Sequence, residues 1–541
     1  MSEKPETSHR ESQKSEGFVT ALPDTLRRDG GLLLDAEGLK RQDDQVSLKF
    51  ASDGHTVLLP QPTDNTCDPL NWSWTKKHLV LFTVAWAALT ADVTATAGSA
   101  IIFPQAAQWH ITPNRANDPN AIAVLLNYYP EKYAYTSDSG IGGLIWVPVS
   151  SIWGRGPVLF WTTVFGFGFQ IGSACSTEYE TYYAMRVVSA LFLTSGQVIS
   201  IAFLKDIFFF HERARKIGLW AVLYIASPYL GPCLANFIIA ATHHWPHVYW
   251  MCSGCAGIQL LLVLAFADET WYNRDIPDSQ QPIRPGGLGR LWRLTGVWGF
   301  RYHSGYFPST TSVCKRFFST ITKPAFFLIC LSYFLCFAWA IGINISTNLL
   351  LATPQEAGGY GLSTTTIGYV YFVNIGGVFI GEIFGHFFND YMARRYIKRH
   401  NGVFESEVRL WTVYVSVALM IPALILIGQS LEKTLPLVAV IFGLGIFATG
   451  VMINSVAVTA YALDSYTTVP AELSGWLNFA RTVGGFAVGY FQQPWSERVG
   501  ADASFGTQAA IVAVATIPVI VVHRYGAGIS RNTGQLAKEE T

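Results

Sequence analysis

A long apolar stretch in the first half of the chain limits what this protein can be. Residues 218–240 carry no charged side chain, and a run of about 20 such residues is long enough to cross a lipid bilayer. Pro228 and Pro232 each remove a main-chain donor, which predicts a bend at mid-membrane depth. Small residues four positions apart would line one face and let a neighbouring helix approach closely: Ser227, Gly231 and Ala235.

Similar runs recur along the chain, and charged residues make up only 14% of its 541 residues, which is too few for an ordinary soluble protein. We therefore predict an all-α membrane protein with about twelve spans. The apolar runs lie at about 79–103, 140–153, 157–175, 183–204, 218–240, 247–267, 324–347, 366–388, 409–429, 435–460, 473–491 and 507–523.

The predicted spans divide into two sets of six. We expect a disordered tail at 1–75, a first bundle at 76–270, a connector at 271–323, a second bundle at 324–525 and a tail at 526–541. Lysines and arginines are concentrated in alternate loops, including the connector, whereas the loops near 176–182, 241–246 and 349–365 have none. Because basic loops stay on the cytosolic side, we expect the connector and both termini in the cytosol.

A polar segment at residues 127–139 interrupts the second span. Its proline and charged residues are not stable in hydrocarbon. One interpretation is an outer loop followed by a short second helix. The other, which we prefer, is an insertion that is foreign to the working protein, because joining 121–126 to 140–154 would restore a span of ordinary length.

The sequence gives no support to several other functions. A formal net charge of zero, without a clustered basic face, argues against a nucleic-acid partner. Cys252 and Cys255 lie in an apolar helix without further ligands, so we interpret them as packing residues and expect no metal site. No phosphate-binding loop, zinc-protease motif or nucleophile constellation is present, so we expect neither an enzyme nor a cofactor.

Charged side chains inside spans are expensive and are therefore functional candidates. Asp92 in the first span shares a face with Thr96 and Ser99, and it is our first candidate for carrying protons or binding a substrate cation. The alternative is a carboxylate near a helix end that only satisfies nearby backbone.

Arg186 and Gln197 share a face of the fourth span. Because Arg186 stays charged, it needs an acid or carbonyl groups, and we expect Asp92 as its partner, although a structural ion pair is the alternative.

The second half offers further polar candidates. Glu382 is a second carboxylate for protons or amines, but an interfacial ion-pair role beside Asp390 is the alternative. Asn344 on the seventh span and Asn478 on the eleventh could contact an organic substrate, and a purely packing role explains them equally well.

Short motifs occur at fixed places relative to the spans. Within the fifth span these are Gly231, Pro232 and Ala235; after the second span Gly154 and Arg155; after the eighth span Asp390, Arg394 and Arg395; in the fourth span Arg186; after the sixth span residues 268–271; and before the first span residues 68–72. Together they resemble the major facilitator superfamily, in particular its fungal twelve-span drug:proton antiporters. The loop after the second span departs from that pattern, since Ser151 stands where the family has an aspartate.

The resemblance implies a major facilitator fold, in which two six-helix bundles are related by pseudo-two-fold symmetry around a substrate site. It implies proton-coupled export of a small organic molecule such as a drug, a toxin or a secondary metabolite. Proton-linked uptake of an organic cation such as a polyamine, a non-transporting sensor and an inactive gene product are alternatives. We expect a monomer whose partners are its substrate, protons and the lipid bilayer, in the plasma membrane or, alternatively, the vacuolar membrane.

Overall fold

The computed structural model describes residues 49, 58, 60–122, 139–274, 276–284, 286–354, 359–400, 404–466 and 469–533. This part of the chain is helical and contains no β-strand. Six helices form the first bundle: α1 (Trp74–Thr96, continued by a 3-10 turn Ala97–Ile101 and by Ile102–Trp109), α2 (Ser139–Trp153), α3 (Arg155–Cys175), α4 (Tyr179–Leu193 and Ser195–Ile207), α5 (Phe210–Thr242) and α6 (Pro246–Phe266). A further helix, Pro113–Ile122, lies between α1 and α2 in the chain. The second six are α7 (Pro324–Ala352), α8 (Thr364–Arg399), α9 (Trp411–Glu432), α10 (Leu437–Ser465), α11 (Pro470–Val499) and α12 (Ala501–Thr533).

Within the described ranges, ten helices are long and apolar enough to cross a membrane. The other two of the twelve are α2, which is apolar but short, and α11, which is long but more polar. These two helices contact each other, so protein rather than lipid covers one face of each. The predicted all-α membrane fold is confirmed.

The most extensive contacts between the two halves are those of α2 with α11 and of α5 with α8. Helices α2 and α8 are the second of each six, and α5 and α11 are the fifth, so a pseudo-two-fold axis relates the two contacts. In the first half α1 packs against α4, α5 and α6, and in the second half α7 packs against α10, α11 and α12. The site described below lies between these two sets.

Close packing of α5 depends on the small residues that the sequence analysis identified. A Cβ atom at Gly231 would come within 2.7 Å of the Val93 carbonyl oxygen on α1, so only glycine fits there. Helix α5 runs unbroken through both prolines. Pro228 cannot donate to the Tyr224 carbonyl, and the Ser227 hydroxyl bonds to that oxygen at 2.6 Å instead.

The described part of the connector holds three further α-helices, Gly289–Leu294, Val297–Tyr306 and Thr310–Ile321. The last of them contacts α2 and α11, one helix from each half. Arg316 bonds to Glu472 of α11 at 2.7 Å, and the Phe317 ring stacks on Trp476 with centroids 5.2 Å apart. We call the side of the bundle that carries this connector the connector side.

One predicted boundary needs correction. The tail predicted at 1–75 does not extend to residue 75, because Asp68 is fully buried and pairs with Arg274 of the connector at 2.8 Å. A buried carboxylate requires such a partner, so the stretch around it packs against the bundle. The last helix continues to Thr533, but its apolar part is Ala501–Gly526, so the start of the C-terminal tail at residue 526 stays a prediction. The polar segment 127–139 lies outside the described residues except for Ser139, where α2 begins.

Candidate functional site

The Asp92 carboxylate lies in the middle of α1 and contacts three other helices. It accepts hydrogen bonds from Gln197 Nε2 of α4 at 2.5 Å and from Ser227 Oγ of α5 at 3.3 Å. Its Oδ2 atom is also 3.3 Å from Arg481 Nη2 on α11. Because Arg481 belongs to the second half, this buried ion pair joins the two bundles at their centre.

Arg481 has further contacts that fix its position. Its Nη2 atom donates to Asn478 Oδ1 at 3.3 Å, and its guanidinium lies 4.4 Å from the centre of the Tyr224 ring. The Tyr224 hydroxyl donates to the same Asn478 oxygen at 3.1 Å, across the two halves. The structure therefore brings the predicted residues Asp92, Gln197 and Asn478 together around Arg481.

The structure does not pair Asp92 with Arg186, and that prediction is wrong. Arg186 is fully buried and donates from Nη2 to the main-chain carbonyls of Thr94 and Ala95, at 2.5 and 2.7 Å. These carbonyls lie just before α1 tightens into a 3-10 turn, where the helical hydrogen-bond pattern changes and carbonyls need other donors. The guanidinium also lies 5.5 Å from the centre of the Tyr249 ring. Arg186 thus stabilises a helix transition inside the first half.

A cavity of about 350 Å³ lies between the halves toward the connector side. Helices α4, α5, α7, α8, α10 and α11 line it, and Tyr224 and Asn478 form part of its wall. A second cavity of about 40 Å³ holds Asp92, Arg481 and Asn344. Since Asn478 and Arg481 are hydrogen-bonded, the ion pair sits at the inner end of the larger cavity.

Opposite the connector, hydrogen bonds close the interface. Asn348 Nδ2 of α7 lies 2.9 Å from Ser99 Oγ in the first half and 3.0 Å from the Tyr371 hydroxyl of α8. Asn236 Nδ2 of α5 donates to Asn348 Oδ1 at 2.8 Å. One level deeper, Asn344 donates to the Pro228 carbonyl at 2.9 Å. The halves are therefore bonded on this side and separated by the cavity on the connector side.

The loop after α2, which contains Gly154 and Arg155, contacts acidic side chains from other segments of the chain. Ser151 stands at the expected acidic position and donates to the Val147 carbonyl of its own helix. The Arg155 side chain pairs instead with Asp206 near the end of α4. Glu269 accepts from the main-chain nitrogens of Arg155 and Gly156 at 3.2 and 3.0 Å. Burial raises the pKa of Glu269 above its usual range.

The second half repeats this arrangement. Arg409, just before α9, bonds to Asp464 near the end of α10 at 2.9 Å and to Asp390 at 3.2 Å. The exposed Arg394 and Arg395, which the motif singled out, do not pair with Asp390 in the described contacts. Sequence reasoning missed Asp206, Arg409 and Asp464. Asp206 and Asp464 could have been found by position, because each lies at the connector-side end of the fourth span of its own half.

The alternative role of Glu382, an interfacial ion pair beside Asp390, does not occur among the contacts that the structure describes. Glu382 is buried to about nine-tenths and lines the larger cavity, where its carboxylate lies opposite Gly218 of α5. Asp390 is engaged by Arg409 and lies 3.9 Å from His386. Glu382 is therefore a cavity residue rather than part of an ion pair.

The comparison with family models decides the family. The model of the Major Facilitator Superfamily matches residues 85–489, about three quarters of the chain. The chain belongs to this superfamily. It is therefore a transporter and not an enzyme, and the resemblance that its motifs suggested is confirmed.

The relatives of this chain include proteins named as an antiporter and as an efflux pump. The chain is 19% identical to the MFS antiporter QDR3 of Candida albicans, over 83% of this chain and 78% of the antiporter. It is 23% identical to the efflux pump FUB11 of Gibberella fujikuroi, over 71% of this chain and 66% of the pump. Its fold is similar to that of the xylose transporter XylE from E. coli in a partially occluded inward open conformation. The TM-score is 0.55 at 12% identity, covering 83% of this chain and 99% of XylE.

Proposed function

We propose that this major facilitator exports a small organic molecule in exchange for protons, with Asp92 as the proton-carrying group. The observation that supports this is the buried pair between Asp92 of the first half and Arg481 of the second half, 3.3 Å apart at the inner end of a cavity. A proton that neutralises one member of such a pair changes the interaction between the two bundles.

The coupling step follows from the energetics of a buried pair. While Asp92 is ionised, it accepts from Gln197 and attracts Arg481, which holds the centre of the interface together. Protonation removes the negative charge and leaves Arg481 without its counter-charge. The conformation in which Arg481 finds other partners or water then becomes more favourable, so the proton shifts the population between two states.

The direction of access follows from the position of the cavity. If the basic connector lies in the cytosol, the larger cavity receives substrate from the cytosol, and the bonded face around Asn348 closes the outer side. Rocking of the two halves about their α2–α11 and α5–α8 contacts would open that outer face. One chain contains both halves, so we propose that the monomer is the working unit, located in the plasma membrane.

An efflux experiment tests this function. Cells that lack their own exporters are loaded separately with ethidium, an organic cation, and with cycloheximide, a neutral toxin, and loss of each is followed with and without the protein. The proposal expects protein-dependent efflux of at least one compound that stops when a protonophore collapses the proton gradient. Efflux that is insensitive to the protonophore would contradict proton coupling.

A further inference from the structure

The Glu382 carboxylate faces the cavity without a counter-charge. Its side chain is 9% exposed, and its Oε2 atom is buried with no hydrogen-bond donor in the part of the chain that the structure describes. Across the interface it faces Gly218, where a Cβ atom would come 3.7 Å from Glu382 Oε1 and nothing else would be near. A buried carboxylate without a partner is costly, so this position calls for a cation from outside the protein.

The cationic side chains that line the same cavity are engaged elsewhere. Arg409 bonds to Asp390 and Asp464, and Arg213 donates to the main-chain carbonyls of Lys205 and Phe208. Lys205 interacts with Glu472. His386, one turn along α8 from Glu382, lies 3.9 Å from Asp390. None of these contacts supplies a positive charge to Glu382.

Aromatic side chains line the same cavity as this carboxylate. Trp220, two residues from Gly218 on α5, stacks on Tyr224 with ring centroids 4.6 Å apart, and Tyr333 lines the same cavity from α7. Aromatic faces attract cations and also accept flat apolar groups. A volume of about 350 Å³ suits a small drug-sized ligand.

We propose that Glu382 is the recognition carboxylate of the substrate site, and that the transported substrate is an organic cation with a flat apolar body. This inference rests on the proposed function, and it separates two roles: Glu382 binds the charge of the substrate, whereas Asp92 carries the proton. The positive charge of the substrate occupies the place beside Glu382 that no protein cation fills, and its apolar part lies against Trp220 and Tyr333.

A binding experiment with a matched pair of ligands tests this assignment. The purified full-length protein is titrated with 4-(4-dimethylaminostyryl)-N-methylpyridinium, a fluorescent cation, and with its parent pyridine, at a mildly alkaline pH where the parent is uncharged. Glu382→Gln should weaken binding of the cation by about 10-fold or more and leave the neutral parent nearly unchanged. Glu382→Asp keeps the charge but has a shorter side chain. Its affinity for the cation should lie between that of the unmodified protein and that of Glu382→Gln.

Glu405→Gln provides the control, because Glu405 lies outside the cavity and bonds to Tyr396. It should bind both ligands as the unmodified protein does. Equal affinity of the unmodified protein for the cation and its neutral parent would overturn the proposal, and this comparison needs no variant. Unchanged cation binding in a folded Glu382→Gln protein would also overturn it. Binding of the cation without proton-dependent efflux would instead contradict the proposed function and leave the recognition role standing.

Discussion

Asn344 of α7 donates a hydrogen bond to the main-chain carbonyl of Pro228 on α5, 2.9 Å away and in the opposite half of the protein. This carbonyl is available because Pro232, one turn further along, has no N–H to offer it. The prolines of α5 therefore have a role in the contact between the two halves. They free main-chain acceptors that a side chain of the other half can bind, which links the two bundles near the ion pair.

Replacing Asn344 tests this link. Asn344→Ala would leave a buried carbonyl without its donor and should lower the free energy of unfolding by about 1–2 kcal/mol, seen as a lower melting temperature in detergent. Thr347→Ala is the control, because the Thr347 hydroxyl bonds to the Ile343 carbonyl of α7 and to Tyr371 of α8, both in the second half. A similar loss of stability in both variants would contradict a specific link between the halves.

Arg186 should be required mainly for the stability of the first half. Arg186→Ala would remove the donor to two buried carbonyls, of Thr94 and Ala95, and should cost about 2–5 kcal/mol. Arg186→Lys should recover only part of this, since an ammonium lacks the fork of a guanidinium. Arg115→Ala, which breaks an exposed pair with Glu180, should change the melting temperature little. Wild-type stability in Arg186→Ala would refute this role.

Gly154 should not tolerate a side chain. Its φ of +95° is unfavourable for other residues, and a Cβ atom would lie 2.4 Å from Glu269 Oε2. Gly154→Ala should displace the carboxylate that accepts from the following main-chain nitrogens and cost about 2–4 kcal/mol. The comparison is Gly168→Ala on α3, where an added methyl group meets no neighbour, and this change should be neutral or slightly stabilising. Equal melting temperatures for the two variants would contradict the prediction.

The attachment of the connector should weaken in acid. Burial acts to raise the pKa of Asp68 and of Asp268, but pairing with Arg274 and with Arg293, respectively, outweighs it and holds both pKa values below the ordinary 3.8. Groups with a lowered pKa stabilise the fold above their ordinary value, and this stability is lost as the pH falls through the folded-state pKa. We therefore expect the melting temperature to fall when the pH is lowered below about 3.8.

Asp268→Asn is the variant that tests the acid prediction. It removes the carboxylate that pairs with Arg293 at 3.0 Å and with Lys76 at 3.2 Å, so it should lower the melting temperature at neutral pH. The further drop in acid should then be smaller than in the unmodified protein. A full acid-induced drop in this variant would show that other groups cause it.

The fold was largely predictable, because length and apolarity determine which segments can span a membrane. The sequence marked the division into two sets of six through the basic connector and the loops without lysine or arginine. Helix α11 was recognisable by its apolar run, although its polar face makes it the less obvious span. The extent of the N-terminal tail was not predictable, since the burial of Asp68 depends on Arg274, about two hundred positions away.

The candidate site was only partly predictable. Charged residues within spans drew attention to Asp92, Arg186 and Glu382, and all three are buried. Their partners could not be read from spacing, because Asp92 and Arg481 lie 389 positions apart and meet only when the halves pack. Periodicity identifies the face on which a residue lies, but it does not tell which helix covers that face.

The central claim is that Asp92 carries the coupling proton, and proteoliposomes that contain a pH-sensitive dye test it most directly. An inward or outward pH gradient is imposed, and flux of the substrate found in the efflux experiment is measured for the unmodified protein and for Asp92→Asn. The account predicts that Asp92→Asn still exchanges labelled for unlabelled substrate but neither moves protons nor responds to the gradient. Gradient-driven flux and proton movement equal to those of the unmodified protein would contradict it.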